Sequence, residues 1–302
     1  MKKLVSILLL ISSISTFSSQ PPLPSNKKSK PKFTFEIGTG VINGESRETV
    51  YEGNHLLSEL TWRLENVPIV EGKASYQFND DWKVNLGGWT KVGTPKSSMD
   101  DYDWMNGSGT HTHWSTSDTE LDKGYMIDVN LEYKFYRMKK GSISTLLGFK
   151  NNTFKWNAIG GHGIYNGKPV TFKDRTVITY EEKLYVPYLG FIFDYNLSKF
   201  NFKTSLTGTP FAFAENTDYH HIRNDGILFE QKFKNIVYLN LGETVGYDIT
   251  ENFTANLSIN LQKYFHQMGT ETVTVNGVKK ENNGAGNEHY SYVTTIGLEY
   301  KF

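Results

Sequence analysis

From Lys32 onward the chain alternates apolar and polar residues with period two. Phe33, Phe35 and Ile37 alternate with Thr34, Glu36 and Gly38, and Trp82, Val84 and Leu86 with Lys83, Asn85 and Gly87. Ile127, Val129, Leu131, Tyr133 and Phe135 alternate with Asp128, Asn130, Glu132 and Lys134. Tyr185, Leu189, Phe191, Phe193 and Tyr195 share one face, with Asp194 on the other, and Ala255, Leu257, Ile259, Leu261 and Phe265 repeat the pattern. Such alternation places apolar and polar side chains on opposite faces of a strand. The links between segments alternate in length. Tight ones fall at 79–81, 137–141, 196–199 and 250–252, and long polar ones at 44–56, 93–123, 159–175, 215–227 and 266–288. Four short and five long links join ten antiparallel strands, and an even count returns both termini to the short-turn end.

A soluble β-sandwich shows the same alternation, so the choice turns on other features. The N-terminus reads as a secretory signal over residues 1–20: Lys2 and Lys3, then an apolar stretch over 4–14 that is too short to span a bilayer as a helix. Residues 21–32, rich in Pro, Ser and Lys, read as an unstructured lead-in. The apolar faces end in aromatic pairs, Tyr133 with Phe135 and Tyr185 with Tyr195, as interfacial girdles do. The last segment carries Tyr292, Ile296, Leu298, Tyr300 and Phe302 on one face and ends on an aromatic residue. Together these predict an all-β, ten-stranded antiparallel transmembrane β-barrel of the outer-membrane type over 33–302, with long extracellular loops.

Composition narrows the field. Aromatic residues reach 14% while mean hydropathy is negative. That combination suits a barrel in which alternate residues meet lipid, and not a helical membrane protein. The formal net charge is zero, so no nucleic-acid partner is expected. There is no cysteine, hence neither disulfide nor thiol chemistry. A ten-stranded barrel is too narrow for an open aqueous channel, which argues against a porin.

Candidate chemistry gathers in two short stretches. Asp101 and Asp103 stand two apart at the start of a long link. On an extended strand both point to one side, with Cα atoms roughly 6.5 Å apart, and two such carboxylates share or compete for a proton. Taken alone the pair reads equally as a solvated acidic loop or a cation site. Asp218 and His220 are also two apart, a spacing at which a carboxylate holds an imidazole in one tautomer and raises its basicity. His221 points the other way. His111 and His113 form an H-x-H pair able to ligate zinc, but no third ligand has the spacing of a metal motif, so no metal is expected. Glu48 is a single acid in the first long link. Lys183 precedes an outward aromatic stretch, where a cation could meet a lipid phosphate or merely aid solubility.

Collectively these pieces resemble the omptin family of outer-membrane aspartyl-type proteases. Met99-Asp100-Asp101-Tyr102-Asp103-Trp104-Met105 resembles the family's M-x-D-x-D-W-M segment, and Ser117-Asp118-Thr119-Glu120-Leu121 its P-D-T-x-L segment. Asp218-Tyr219-His220 falls where the family has D-x-H, and Asn283 to Glu288 with the run to Phe302 is similar to its last loop and strand. Val186 to Gly190 resembles a mid-barrel strand. The resemblance implies an endopeptidase of the bacterial outer membrane, with its groove facing the exterior and Asp101, Asp103, Asp218 and His220 as catalytic residues acting on water. It implies polypeptide substrates cut next to basic residues, with Glu48 in the pocket for the basic side chain. The family's second acid there is Asn216 in this chain, with Glu215 adjacent and turned away. It implies no cofactor but lipopolysaccharide as an activator: Lys183 matches one basic position of the lipid site, while Phe149, Asn151 and Thr153 lack the charges of the others. A monomer is expected.

Two rivals make different predictions. A non-enzymatic barrel, an adhesin or binding protein, keeps its function when the four residues are changed. A lipid-acting barrel enzyme needs a serine near histidine at membrane level, whereas Ser108, Ser115 and Ser117 are expected in a loop.

Overall fold

A computed structural model describes residues 32–105, 109–223 and 226–302. The expected signal and lead-in lie outside these residues, apart from Lys32, which opens the first strand, and so does Ser108. The described residues form eleven strands and no helix: β1 (Lys32–Glu52), β2 (His55–Gln77), β3 (Trp82–Lys91), β4 (Lys96–Asp103), β5 (His113–Met138), β6 (Gly141–Tyr165), β7 (Lys168–Leu197), β8 (Phe200–His220), β9 (Ile227–Asp248), β10 (Phe253–Val275) and β11 (Val278–Lys301). Every pairing is antiparallel between neighbours. β1 pairs with both β2 and β11, so the sheet closes into a barrel.

Eleven strands occupy ten positions. β3 and β4 pair in succession with the same two neighbours, β2 and β5. The break at 92–95 contains Gly93 and Pro95, and proline cannot donate to a ladder, so one strand position is interrupted. The tight links expected at 79–81, 137–141, 196–199 and 250–252 are the turns of one end, where Phe302 also folds back to donate its N–H to Phe33 O at 3.0 Å.

The opposite end differs from expectation. Most of the stretches read as long polar links are strand. β1–β2, β6–β7 and β10–β11 run on to two-residue turns, and Asn166-Gly167 and Asn276-Gly277 have positive φ at both central positions (50° and 77°, 50° and 79°). That is the type I′ geometry matching strand twist. Polarity, read as loop, here marks strand with solvent on one side and a polar interior on the other. Among the described residues, this end leaves 104–105, 109–112, 221–223 and 226 outside strand beyond its two-residue turns.

Strands of up to 30 residues are far longer than the roughly 9–11 needed to span a bilayer. Outward residues near the tight-turn end form an apolar belt: Ile37, Leu86, Ile127, Leu147, Leu189 and Ile296 are all more than half exposed. Beyond the belt the outer face becomes charged, with Arg63–Asp100 (2.5 Å), Lys155–Asp122 (3.1 Å) and Lys123–Glu181 (3.1 Å) pairs. The lower interior is polar and ion-paired, through Lys83–Glu132 at 2.7 Å and Lys73 with Glu36 and Glu71 at 3.0 and 3.1 Å. Higher up, an aromatic floor closes the lumen. Tyr180 lies against Trp62 (5.2 Å) and Trp156 (5.8 Å), and Phe154 against Trp156 (5.5 Å) and His289 (5.1 Å), all completely buried.

Candidate active site

The site stands on that floor, at the mouth opposite the tight turns. On β4 the period-two pleat turns Met99, Asp101 and Asp103 inward and leaves Asp100 and Tyr102 outside. Asp100 is held there by Arg63. On β8 the same pleat turns Asn216, Asp218 and His220 inward while Glu215 faces out; His221, just past the strand, is exposed. His221 meets Thr179 Oγ1 at 2.9 Å on the outer face. β5, β6 and β7 separate β4 from β8, so the two acidic stretches line opposing walls.

His220 Nε2 lies 2.6 Å from Asp218 Oδ2, and both are buried. Phe229 packs on the imidazole at 5.2 Å and limits its rotation. Across the mouth, Ser58 Oγ donates to Asp101 Oδ1 at 3.5 Å, and the Arg223 guanidinium lies 3.9 Å from Asp101 and 3.8 Å from Asp103. Burial and the Asp103 charge push the Asp101 carboxyl up to about 7, against the pull of Arg223 and His220. Asp101 therefore exchanges its proton near neutral pH. The guanidinium, flanked by both aspartates and Tyr165, is held above its ordinary value. Met99, Asp101, Ser115, Ser117, Tyr165, His220 and Arg223 border a cavity of about 20 Å³, large enough for one water.

Glu48 and Asn216 also come to this mouth, on β1 and β8. Glu48 is buried and accepts from Gln231 Nε2 at 2.5 Å; Gln231 also donates to Glu271 at 3.1 Å. Burial, reinforced by Asp218, pushes the Glu48 carboxyl well up, and burial raises Glu271 as well. Asn216 Nδ2 donates to Tyr180 OH at 2.7 Å.

The other sequence candidates lie elsewhere. Lys183 is on the outer face of β7, 3.4 Å from Glu181, with Glu215 opposite it on β8 and Lys232 opposite Glu215 on β9. Phe149 faces outward, Asn151 donates to Leu184 O at 3.1 Å, and Thr153 is buried. His111 packs its ring on Tyr102 and Trp104, and His113 on Tyr165. Among the described residues no three His, Asp or Glu side chains converge as metal ligands. Ser115 and Ser117 differ from expectation: they are inward residues of β5, and Ser117 Oγ is engaged by Gly160 O at 2.8 Å. Gly160 and Gly161, at φ 59° and 116°, make the bulge that admits Ser117.

Arg223, Gln231 and Glu271 were not legible as site residues. Arg223 lies in a link with no motif. Glu271 follows two register shifts in β10, after which its facing cannot be counted from the alternation.

A closed barrel with an apolar outer belt and a buried carboxylate–histidine cluster in one mouth defines a membrane β-barrel with a candidate active site. Comparison with known proteins places it further. The Omptin family model matches residues 29–302, and the chain belongs to that family. It is similar to outer membrane protease OmpP of Escherichia coli K12, 28% identical over 99% of each chain. It is also similar to the plasminogen activator of Yersinia pestis, 27% identical over 98% of this chain and 97% of that one. The crystal structure of outer membrane protease OmpT from Escherichia coli superposes with a TM-score of 0.88, at 23% identity, covering 92% of this chain and 99% of that one. The protein is accordingly a protease of the bacterial outer membrane.

Proposed function

We propose that the protein is an endopeptidase that activates water between Asp218–His220 on one wall and Asp101–Asp103 on the other, and cuts polypeptides next to basic residues. The observation that carries this reading is the one-water cavity bordered by Asp101 and His220. With Nε2 donating to Asp218, the neutral imidazole keeps Nδ1 free to take a proton from that water. Asp218 stabilises the imidazolium that forms. The hydroxide-like oxygen attacks the scissile carbonyl. Asp101, near its midpoint at neutral pH, donates its proton to the developing tetrahedral oxygen and recovers it as the intermediate collapses to the acid; Arg223, beside both carboxylates, holds Asp101 in place, and the Asp103 charge keeps the proton on it. His220 then returns its proton to the leaving amine. No step requires a side-chain nucleophile.

The preference for basic residues rests on Glu48, buried beside the Asp218–His220 pair, whose raised carboxyl ionises as a cationic side chain enters, a gain greatest where water is excluded. Lipopolysaccharide is proposed as an activator through the charged row above the belt, Lys183, Glu215 and Lys232, where cations can meet lipid phosphates.

The test is cleavage of a quenched fluorescent peptide containing Arg-Arg by barrel refolded in detergent, with and without rough lipopolysaccharide. The wild type is run beside Asp101→Asn and His220→Ala. Cleavage by the wild type alone is expected. Cleavage by all three moves the site elsewhere. Absence of cleavage across a mixed peptide library as well would favour a barrel that has kept the fold as a binding protein.

A further inference from the structure

Five carboxylates are buried around this mouth: Glu48, Asp101, Asp103, Asp218 and Glu271. Their cations are unevenly placed. Arg223 serves Asp101 and Asp103, and His220 serves Asp218. Among the described residues no lysine, arginine or histidine forms an ion pair with Glu48 or Glu271; both rely on the single amide of Gln231. Around them several acceptors are buried without a partner: Glu48 Oε2, Gln231 Oε1, Asn216 Oδ1 and Asp218 Oδ1. The shortage is therefore of donors as well as of positive charge. A proton on a carboxyl relieves the charge, but it cannot also supply donors to the two amide oxygens. Buried acceptors in native proteins find partners, and a group of them left open together marks the place of a donor-rich ligand.

Building on the basic-residue reading above, we infer that Glu271 is the second acid of the pocket for the substrate's basic side chain. Held by Gln231, it supplies the charge that Asn216 lacks, and the pocket selects arginine over lysine. The open acceptors come from β1, β8 and β9, with Glu271 on β10. Acceptors spread over several strands suit a guanidinium, which presents five donors in a rigid plane, better than an ammonium, whose three donors radiate from one atom. Asn216 fits the same picture. Tyr180 fixes its amide nitrogen, which leaves the amide oxygen as the group offered to a ligand.

The experiment compares three quenched peptides that differ only in the residue before the scissile bond: arginine, lysine or citrulline, the last keeping arginine's shape without its charge. The wild type is expected to cleave arginine about tenfold better than lysine, and better still than citrulline. Glu271→Gln is expected to lower the arginine-to-citrulline ratio of kcat/KM by about 10- to 100-fold, the effect of one charged hydrogen bond, while citrulline cleavage stays within about twofold. Adding Asn216→Asp to that variant is expected to restore most of the ratio. An unchanged ratio in Glu271→Gln, or an equal fall with arginine and citrulline, would overturn the inference while leaving the basic preference standing. A wild type indifferent between arginine and citrulline would instead remove the basic preference on which it rests. Should Glu271→Gln not reach the folded, heat-modifiable form, Glu271→Asp carries the test: it keeps the charge but withdraws it by one methylene, and an unchanged ratio there overturns the inference equally.

Discussion

Single side chains set the chemistry at this mouth through burial and charge. Asp101 is raised to about 7 because burial and Asp103 together outweigh Arg223 and His220. In the unfolded chain the same carboxyl titrates near its ordinary value of about 4. A raised folded value means that the native state holds a proton the unfolded state has lost. The contribution of this carboxyl to stability is therefore greatest below about pH 4 and falls as pH rises toward 7, where the loss levels off. Asp101→Asn, neutral at every pH, is expected to match the wild type in thermal midpoint near pH 4 and to exceed it at pH 8 while losing cleavage; circular-dichroism melts across this range check it. A pH-independent difference would show that Asp101 is ionised in the folded protein. His220→Ala is expected to lower kcat by about 10²- to 10⁴-fold with little change in melting, read by peptide cleavage and melts in parallel. The two pairs were legible in the sequence because a spacing of two on a strand gives one facing. Gln231, Arg223 and Glu271 carried no such mark.

Strands and their irregularities decide where those side chains point. β4 and β5 deliver Asp101, Asp103, Ser115 and Ser117 by plain pleating, but Ser117 reaches its position only because β6 bulges at Gly160-Gly161. A Cβ at Gly161, with φ at 116°, would stand 2.2 Å from Thr116 O and 2.6 Å from Ser117 Oγ. Gly161→Ala is expected to cost about 1–3 kcal/mol and to reduce cleavage, because the wall that bears Ser117 must shift; denaturant unfolding together with kcat/KM tests both halves. Stability unchanged with activity intact would mean that the bulge relaxes freely. At this scale the alternation and the tight turns were legible. The break of one strand position at 92–95 and the continuation of strands through stretches read as loops were not. Polarity marks both loop and a strand wet on both faces, and only pairing separates them.

For the molecule as a whole, length and belt position the chemistry. Strands far longer than a bilayer needs carry the site beyond the belt, where the outer face becomes charged and peptides can reach it. Ile296, 61% exposed in the belt, tests this placement. Ile296→Arg is expected to cost about 2–4 kcal/mol and to deplete folded protein in the outer-membrane fraction, followed by heat-modifiable migration on gels. The same substitution tolerated there without loss would place this face outside lipid. The period of two, the zero net charge, the absence of cysteine and the spacing of the two acidic pairs are local properties, and the sequence alone determined from them an all-β barrel with an Asp pair and an Asp–His pair. Facing one another is not a local property. Closure of β1 on β2 and β11 brings β4 and β8 to opposing walls, and the register shift between Tyr264 and Gln267 of β10 turns Glu271 to the inner face that Glu48 shares. Those juxtapositions depend on distant pairings summed around the barrel, so only the tertiary structure decided them.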